Sequence, residues 1–183
     1  PEAVRDFFDA YAQFVMDFID KIASLYPLDM LTLHDDWGAE KDTFFSERMM
    51  EELVLEPTKR IVDHIKSKDI IFQMHSCGNV TRFVPYMVEF GSDFLQLQRR
   101  AVDIPALKRR YGDKTGFNVQ LEGISPELQM TGGQIVEAVR KTVDTFGCQG
   151  GLYTGTYFPD EELLWTAAAE LYAYSREYYE QEN

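Results

Sequence analysis

His75 and Cys77 stand two residues apart at the end of the apolar run Ile70-Ile71-Phe72-Gln73-Met74. Side chains two apart on a β-strand point to the same side. The imidazole and the thiol therefore share a face with Gln73, while Ile70, Phe72 and Met74 share the other. Imidazole nitrogen and thiolate sulfur are ligand types that zinc takes. Gly78-Asn79 then turns the chain out of the strand. The pair is thus expected at the strand's carboxyl end, where barrel enzymes keep their chemistry. A satisfied core histidine beside an inert thiol is the plainer alternative. The polar inner face and the turn that follows favour a metal.

Zinc needs at least one more protein ligand. Glu122, two strands further on and at the same depth, is the first choice, so His75, Cys77 and Glu122 form the expected metal set. Cys148 is the only other thiol, but it precedes Gly150-Gly151 and falls at the amino end of the last strand. His34-Asp35-Asp36-Trp37-Gly38 closes an earlier strand. An Asx-rich turn would account for it, but an imidazole and two carboxylates at such a mouth could bind a cation or move protons. His34, Asp35 and Asp36 are accordingly the candidate catalytic residues. Asn79, Gln98, Asn118 and Gln120 are the candidate substrate contacts. His64, in a helix rich in Lys and Arg, reads as a solvated surface residue.

The elements that must position these groups alternate. Val4, Phe7, Phe8, Tyr11, Val15, Phe18, Ile19 and Ile22 recur at helical spacing, which predicts a helix over 2–25 that Pro27 stops. Strands are predicted over 29–33, 69–74, 93–97, 116–121 and 151–154. Helices are predicted over 46–68, 81–90, 103–111, 132–146 and 159–180. One helix followed by five βα units means parallel strands with helical crossovers. The strands also have one apolar and one polar face: Leu95 and Leu97 oppose Gln96 and Gln98, and Phe117, Val119 and Leu121 oppose Asn118, Gln120 and Glu122. A doubly wound sheet covered on both faces would be apolar throughout its strands. One-sided polarity points instead to a TIM-type barrel, with Gln73, Gln96, Gln98, Asn118 and Gln120 facing inward. Five strands cannot close one. The chain is expected to be part of a longer one, since Pro1 opens almost directly into a helix, or to pair with a second copy as a homodimer.

The 183 residues suffice for one domain with a core, and no linker divides them. A net charge of -13 argues against nucleic acid and against an anionic membrane surface. Two cysteines make no disulfide framework, which suits a cytoplasmic setting. No run reaches membrane-spanning length.

Several strings in order resemble the uroporphyrinogen decarboxylase superfamily. They are Asp35-Asp36-Trp37-Gly38, Glu56-Pro57-Thr58-Lys59-Arg60-Ile61, His75-Ser76-Cys77-Gly78-Asn79, Asp103-Ile104-Pro105-Ala106-Leu107-Lys108 with Tyr111-Gly112, and Gly150-Gly151. Their order and spacing resemble the C-terminal half of that family. The resemblance implies an α/β fold of the TIM (β/α)8-barrel type, with residues 1–183 as a single domain covering about the last five βα units. The His-x-Cys-Gly pattern is similar to the corrinoid-linked methyltransferase branch, where these two residues bind zinc. This implies a zinc-dependent methyltransferase that moves a methyl group between a small methylated compound or thiol and a corrinoid carried on a partner protein. Members with thiol acceptors have another Cys after the last strand, where this chain reads Tyr153-Thr154-Gly155-Thr156-Tyr157. The alternatives are uroporphyrinogen decarboxylase, whose eight-carboxylate substrate suits Asp35, Asp36 and Glu122 poorly, and a non-catalytic barrel fragment.

Overall fold

The alternation of helix and strand is realised in the computed structural model, which describes residues 2–121, 130–155, 158 and 160–182. The chain divides into two compact units, residues 1–103 and 104–183.

The first unit opens with helix α1 (Glu2–Ala23), followed by strand β1 (Met30–His34). A short helix α2 (Glu47–Met49) runs through a π turn (Met50–Val54) into α3 (Leu55–Lys66). Ser46 caps α2 by accepting from the Met49 amide, as an N-cap serine does. The sequence predicts one continuous helix from Ser46, and the π turn is the departure from it. Pro57 explains it: proline donates no N–H and its ring crowds the carbonyl four residues back, so the turn before it widens. Strand β2 (Ile71–Ser76) follows, then a 3-10 turn (Thr81–Phe83), helix α4 (Val84–Glu89) and strand β3 (Phe94–Leu97). β2 pairs in parallel with both β1 and β3.

The two sides of these strands differ in chemistry, and on β2 both are largely buried. Phe72, Met74 and Leu95 are wholly buried. Behind them Trp37, Phe45, Phe83, Phe90 and Phe72 pack edge to face or stacked, a geometry that rings prefer. On the opposite side Gln73 donates to Thr32 Oγ1 at 3.0 Å. His64 is not a free surface residue: its Nε2 lies 2.9 Å from Asp20 Oδ1, tying α3 to α1.

The second unit holds α5 (Ile104–Tyr111), β4 (Gly116–Asn118), α6 (Gly132–Phe146), β5 (Leu152–Tyr153) and α7 (Glu161–Glu182). β4 and β5 are parallel. Thr131 and Gln134 form a reciprocal capping box at the start of α6. Leu121, Ile135, Val139 and Ala167 make its core, with Met130, Phe158, Leu163 and Leu171 packed against them. Lys108 is fully buried and donates from Nζ to the Gly150 carbonyl. No helix among the described residues is long and apolar enough to cross a membrane.

Candidate metal centre

Strand register builds the site. His34 on β1, His75 on β2 and Gln96 on β3 are partners across the ladder, and ladder partners in a parallel sheet point the same way. The rings of His34 and His75 lie 4.5 Å apart. His75 Nδ1 is 2.9 Å from Gln96 Oε1. One pleat further toward the carboxyl ends, the next inward residues are Asp36, Cys77 and Gln98. Asp36 Oδ1 accepts from the Cys77 amide at 2.8 Å, and Gln98 Oε1 accepts from the Gly78 amide at 2.6 Å.

Three ligand atoms converge as a result. Cys77 Sγ is 3.4 Å from His75 Nε2, and His75 Nε2 is 3.6 Å from Asp36 Oδ1. All three lie within 4.8 Å of one another. Around a tetrahedral zinc with ordinary bond lengths, a nitrogen stands about 3.4–3.6 Å from a sulfur or oxygen ligand. The donor set also fits. Sulfur and imidazole select zinc over magnesium or calcium. Among the described residues three protein ligands converge, and three would leave a fourth position open, as in catalytic rather than structural zinc sites. The second nitrogen of the imidazole is hydrogen-bonded, as in most metal-binding histidines.

The electrostatics of the metal-free cluster oppose the thiolate. Burial, and then the Asp36 carboxylate with its hydrogen bond, push the Cys77 thiol up. A cation beside a thiol has the opposite effect and favours the thiolate. Asp35 follows the strand alternation to the other side. Burial pushes its carboxyl up, the Asp36 charge adds to this, and a hydrogen bond with Trp37 pulls it down. Asp35 in turn pushes up Tyr11 on α1, a shift that owes most to burial. Asp35 is thus not one of the convergent groups; its partner is Trp37.

The turn after Cys77 is sterically fixed. Gly78 has a φ of +79°, and a Cβ there would fall on the Gly38 carbonyl. The Asn79 amide donates to the Ala39 carbonyl at 2.6 Å. This holds the loop carrying Asp36 against the loop carrying Cys77.

The structure thus brings His75 and Cys77 together as their spacing predicts, and it adds Asp36. His34 lies beside His75 but is not one of the three convergent groups. Asn79 is engaged locally: its Oδ1 accepts from Thr81 and its Nδ2 donates to the Lys41 carbonyl. Gln98 holds the Gly78 turn. Asn118 ends β4 in the second unit, and Gln120 is exposed just beyond it. Glu122 lies outside the described residues. Sequence reasoning passed over Gln96 as a partner of His75. The available signal was an inward glutamine on the adjacent strand.

A parallel α/β scaffold with polar inner faces and a ligand cluster at its strand ends is the arrangement of the (β/α)8-barrel enzymes. The chain belongs to the uroporphyrinogen decarboxylase (URO-D) family, whose profile matches residues 1–151. No curated protein sequence matches it. Among solved structures it is similar in fold to a methyltransferase from Methanosarcina mazei, with a TM-score of 0.57 and 15% identity. That match covers 97% of this chain and 47% of the methyltransferase. The chain therefore spans about half the length of that protein.

Proposed function

We propose that the chain is the C-terminal part, over residues 1–183, of a zinc-dependent methyltransferase barrel. It would transfer a methyl group between a small methylated compound or thiol and a corrinoid held on a partner protein. The observation that carries this reading is the convergence of Asp36 Oδ1, His75 Nε2 and Cys77 Sγ at the carboxyl ends of β1 and β2. Family membership and the fold shared with a methyltransferase support it. Glu122 stays in the proposal as the alternative to Asp36 for the third ligand, either set of three leaving one position for substrate.

Asp36, His75 and Cys77 would hold the zinc, which supplies Lewis acidity toward a substrate donor atom at its open position. The remaining work falls to the chain. The exposed His34 ring beside the cluster can hold or release a proton at its nitrogens. Asp35, hydrogen-bonded with Trp37, would help to keep the Asp36 loop seated on the aromatic core. Asn79, Gln98, Asn118 and Gln120 remain the proposed substrate contacts, with Gln98 limited by its bond to the Gly78 turn. Two free thiols suit a reducing cytoplasm. A homodimer would cover exposed Phe7, Phe14 and Phe18 on α1, and a monomeric mass by light scattering argues against it.

The test is Cys77→Ser. Elemental analysis should find zinc bound to the wild-type chain and lost from the variant, with methyl transfer to a corrinoid protein lost in parallel. Unchanged zinc and unchanged transfer would refute the reading. Release of CO2 from uroporphyrinogen by the wild type would assign the decarboxylase in its place.

A further inference from the structure

We propose that Gln96 is a positioning residue that sets the tautomer of His75 and thereby keeps a free lone pair on Nε2, the ring nitrogen that stands beside Cys77 Sγ and Asp36 Oδ1. The inference rests on the zinc reading for its purpose, but its central observable does not need a metal.

A neutral imidazole has one donor and one acceptor nitrogen, and the partner of one decides the state of the other. Free histidine favours the proton on Nε2, the tautomer that cannot bind a metal through that atom. In this protein Nε2 faces two groups that would act as co-ligands, at 3.4 Å and 3.6 Å. Nδ1 faces the Gln96 side-chain oxygen at 2.9 Å. With that oxygen accepting, the proton sits on Nδ1 and Nε2 keeps its lone pair. The bond follows from the ladder itself, because His75 and Gln96 are register partners on adjacent strands. Such partners stand about 4.8 Å apart, so the glutamine reaches the ring without reorganisation.

The same face of β3 works twice. Gln98, two residues on, accepts from the Gly78 amide at 2.6 Å and fixes the turn directly after Cys77. One strand thus supports both ligands contributed by the next, one through its ring and one through its backbone. Gln98 provides the control: losing it should loosen the Cys77 turn without moving the proton on His75.

The experiment uses the 183-residue chain with 15N-labelled histidine. In metal-free wild type, long-range 15N–1H correlation should show His75 protonated on Nδ1. Gln96→Met, close in size but without an acceptor, should move the proton wholly or partly to Nε2. Gln96→Glu should keep it on Nδ1, and so should Gln98→Met. Zinc affinity, measured by competition with a chromophoric chelator, should fall about 10–100-fold in Gln96→Met and recover in Gln96→Glu. A wild-type His75 protonated on Nε2, or a Gln96→Met variant with an unchanged tautomer, overturns the proposal. If the tautomer follows Gln96 while no variant binds zinc, the positioning role stands and the zinc reading falls. Gln96→Leu repeats the test should Gln96→Met fold poorly.

Discussion

Replacing Gly78 with alanine tests whether the metal centre depends on the close approach of two loops. Two costs can be separated. The first is backbone: φ at Gly78 is +79°, and a non-glycine residue in the left-handed region costs about 1–2 kcal/mol. The second is steric: the new Cβ would meet the backbone carbonyl of Gly38 and the Ala39 amide. Backbone cannot rotate away as a side chain can, and forced overpacking costs about 1–3 kcal/mol. Gly91 supplies the reference. Its φ is +87°, but the nearest atom to its Cβ would be the end of the Lys66 side chain at 3.7 Å. Gly91→Ala should therefore lose only the backbone cost. Gly78→Ala should lose about 1–3 kcal/mol more, read as the difference in denaturant unfolding free energy. Gly78→Ala should also lose zinc retention, because the Asp36 and Cys77 loops separate, whereas Gly91→Ala should keep it. Equal destabilisation of the two variants, with zinc retained in both, would refute the reasoning.

Asp36→Asn removes the charge that helps push Cys77 up. In metal-free protein the pH midpoint of thiol alkylation at Cys77 should fall, though burial, the larger cause, keeps it above that of a free cysteine; an unmoved midpoint would exclude Asp36 as a cause. The Tyr86 hydroxyl donates to Glu51 Oε1 at 2.7 Å, and its phenol is pushed up to about 12, first by that bond. Because the folded value is raised, the stability this group contributes is complete below the ordinary phenol range and is lost as pH rises from about 10 through about 12. Tyr86→Phe should cost about 0.5–1.5 kcal/mol at neutral pH and remove that late phenol from an absorbance titration at high pH; a variant with unchanged stability and titration would leave the bond without weight.

Much of the scaffold was legible from periodicity. The helical spacing from Val4 to Ile22 matches α1, and the helix predicted over 132–146 is the one observed. The apolar sides of the strands are buried, as Phe72, Met74, Leu95 and Phe117 show, and Gln73 is buried on the polar side of β2 as well. Boundaries shifted where tertiary pairing extends a strand. β2 runs through His75 and Ser76 because β1 and β3 offer both residues ladder partners or neighbours. The π turn before Pro57 was missed because helical periodicity does not register one widened turn.

What the sequence by itself determined is the common face of His75 and Cys77, which follows from the two-residue period of a strand. It also determined the turn at Gly78, where only a glycine sits easily at positive φ. Which residues of other strands meet that pair is a matter of register, and register is a property of two strands rather than one. Only the tertiary structure decided that His34 lies level with His75, so that Asp36 falls beside Cys77 while Asp35 pairs with Trp37. A slip of one residue would exchange the two aspartates. The ladder between β2 and β3 likewise placed Gln96 against Nδ1 of the imidazole.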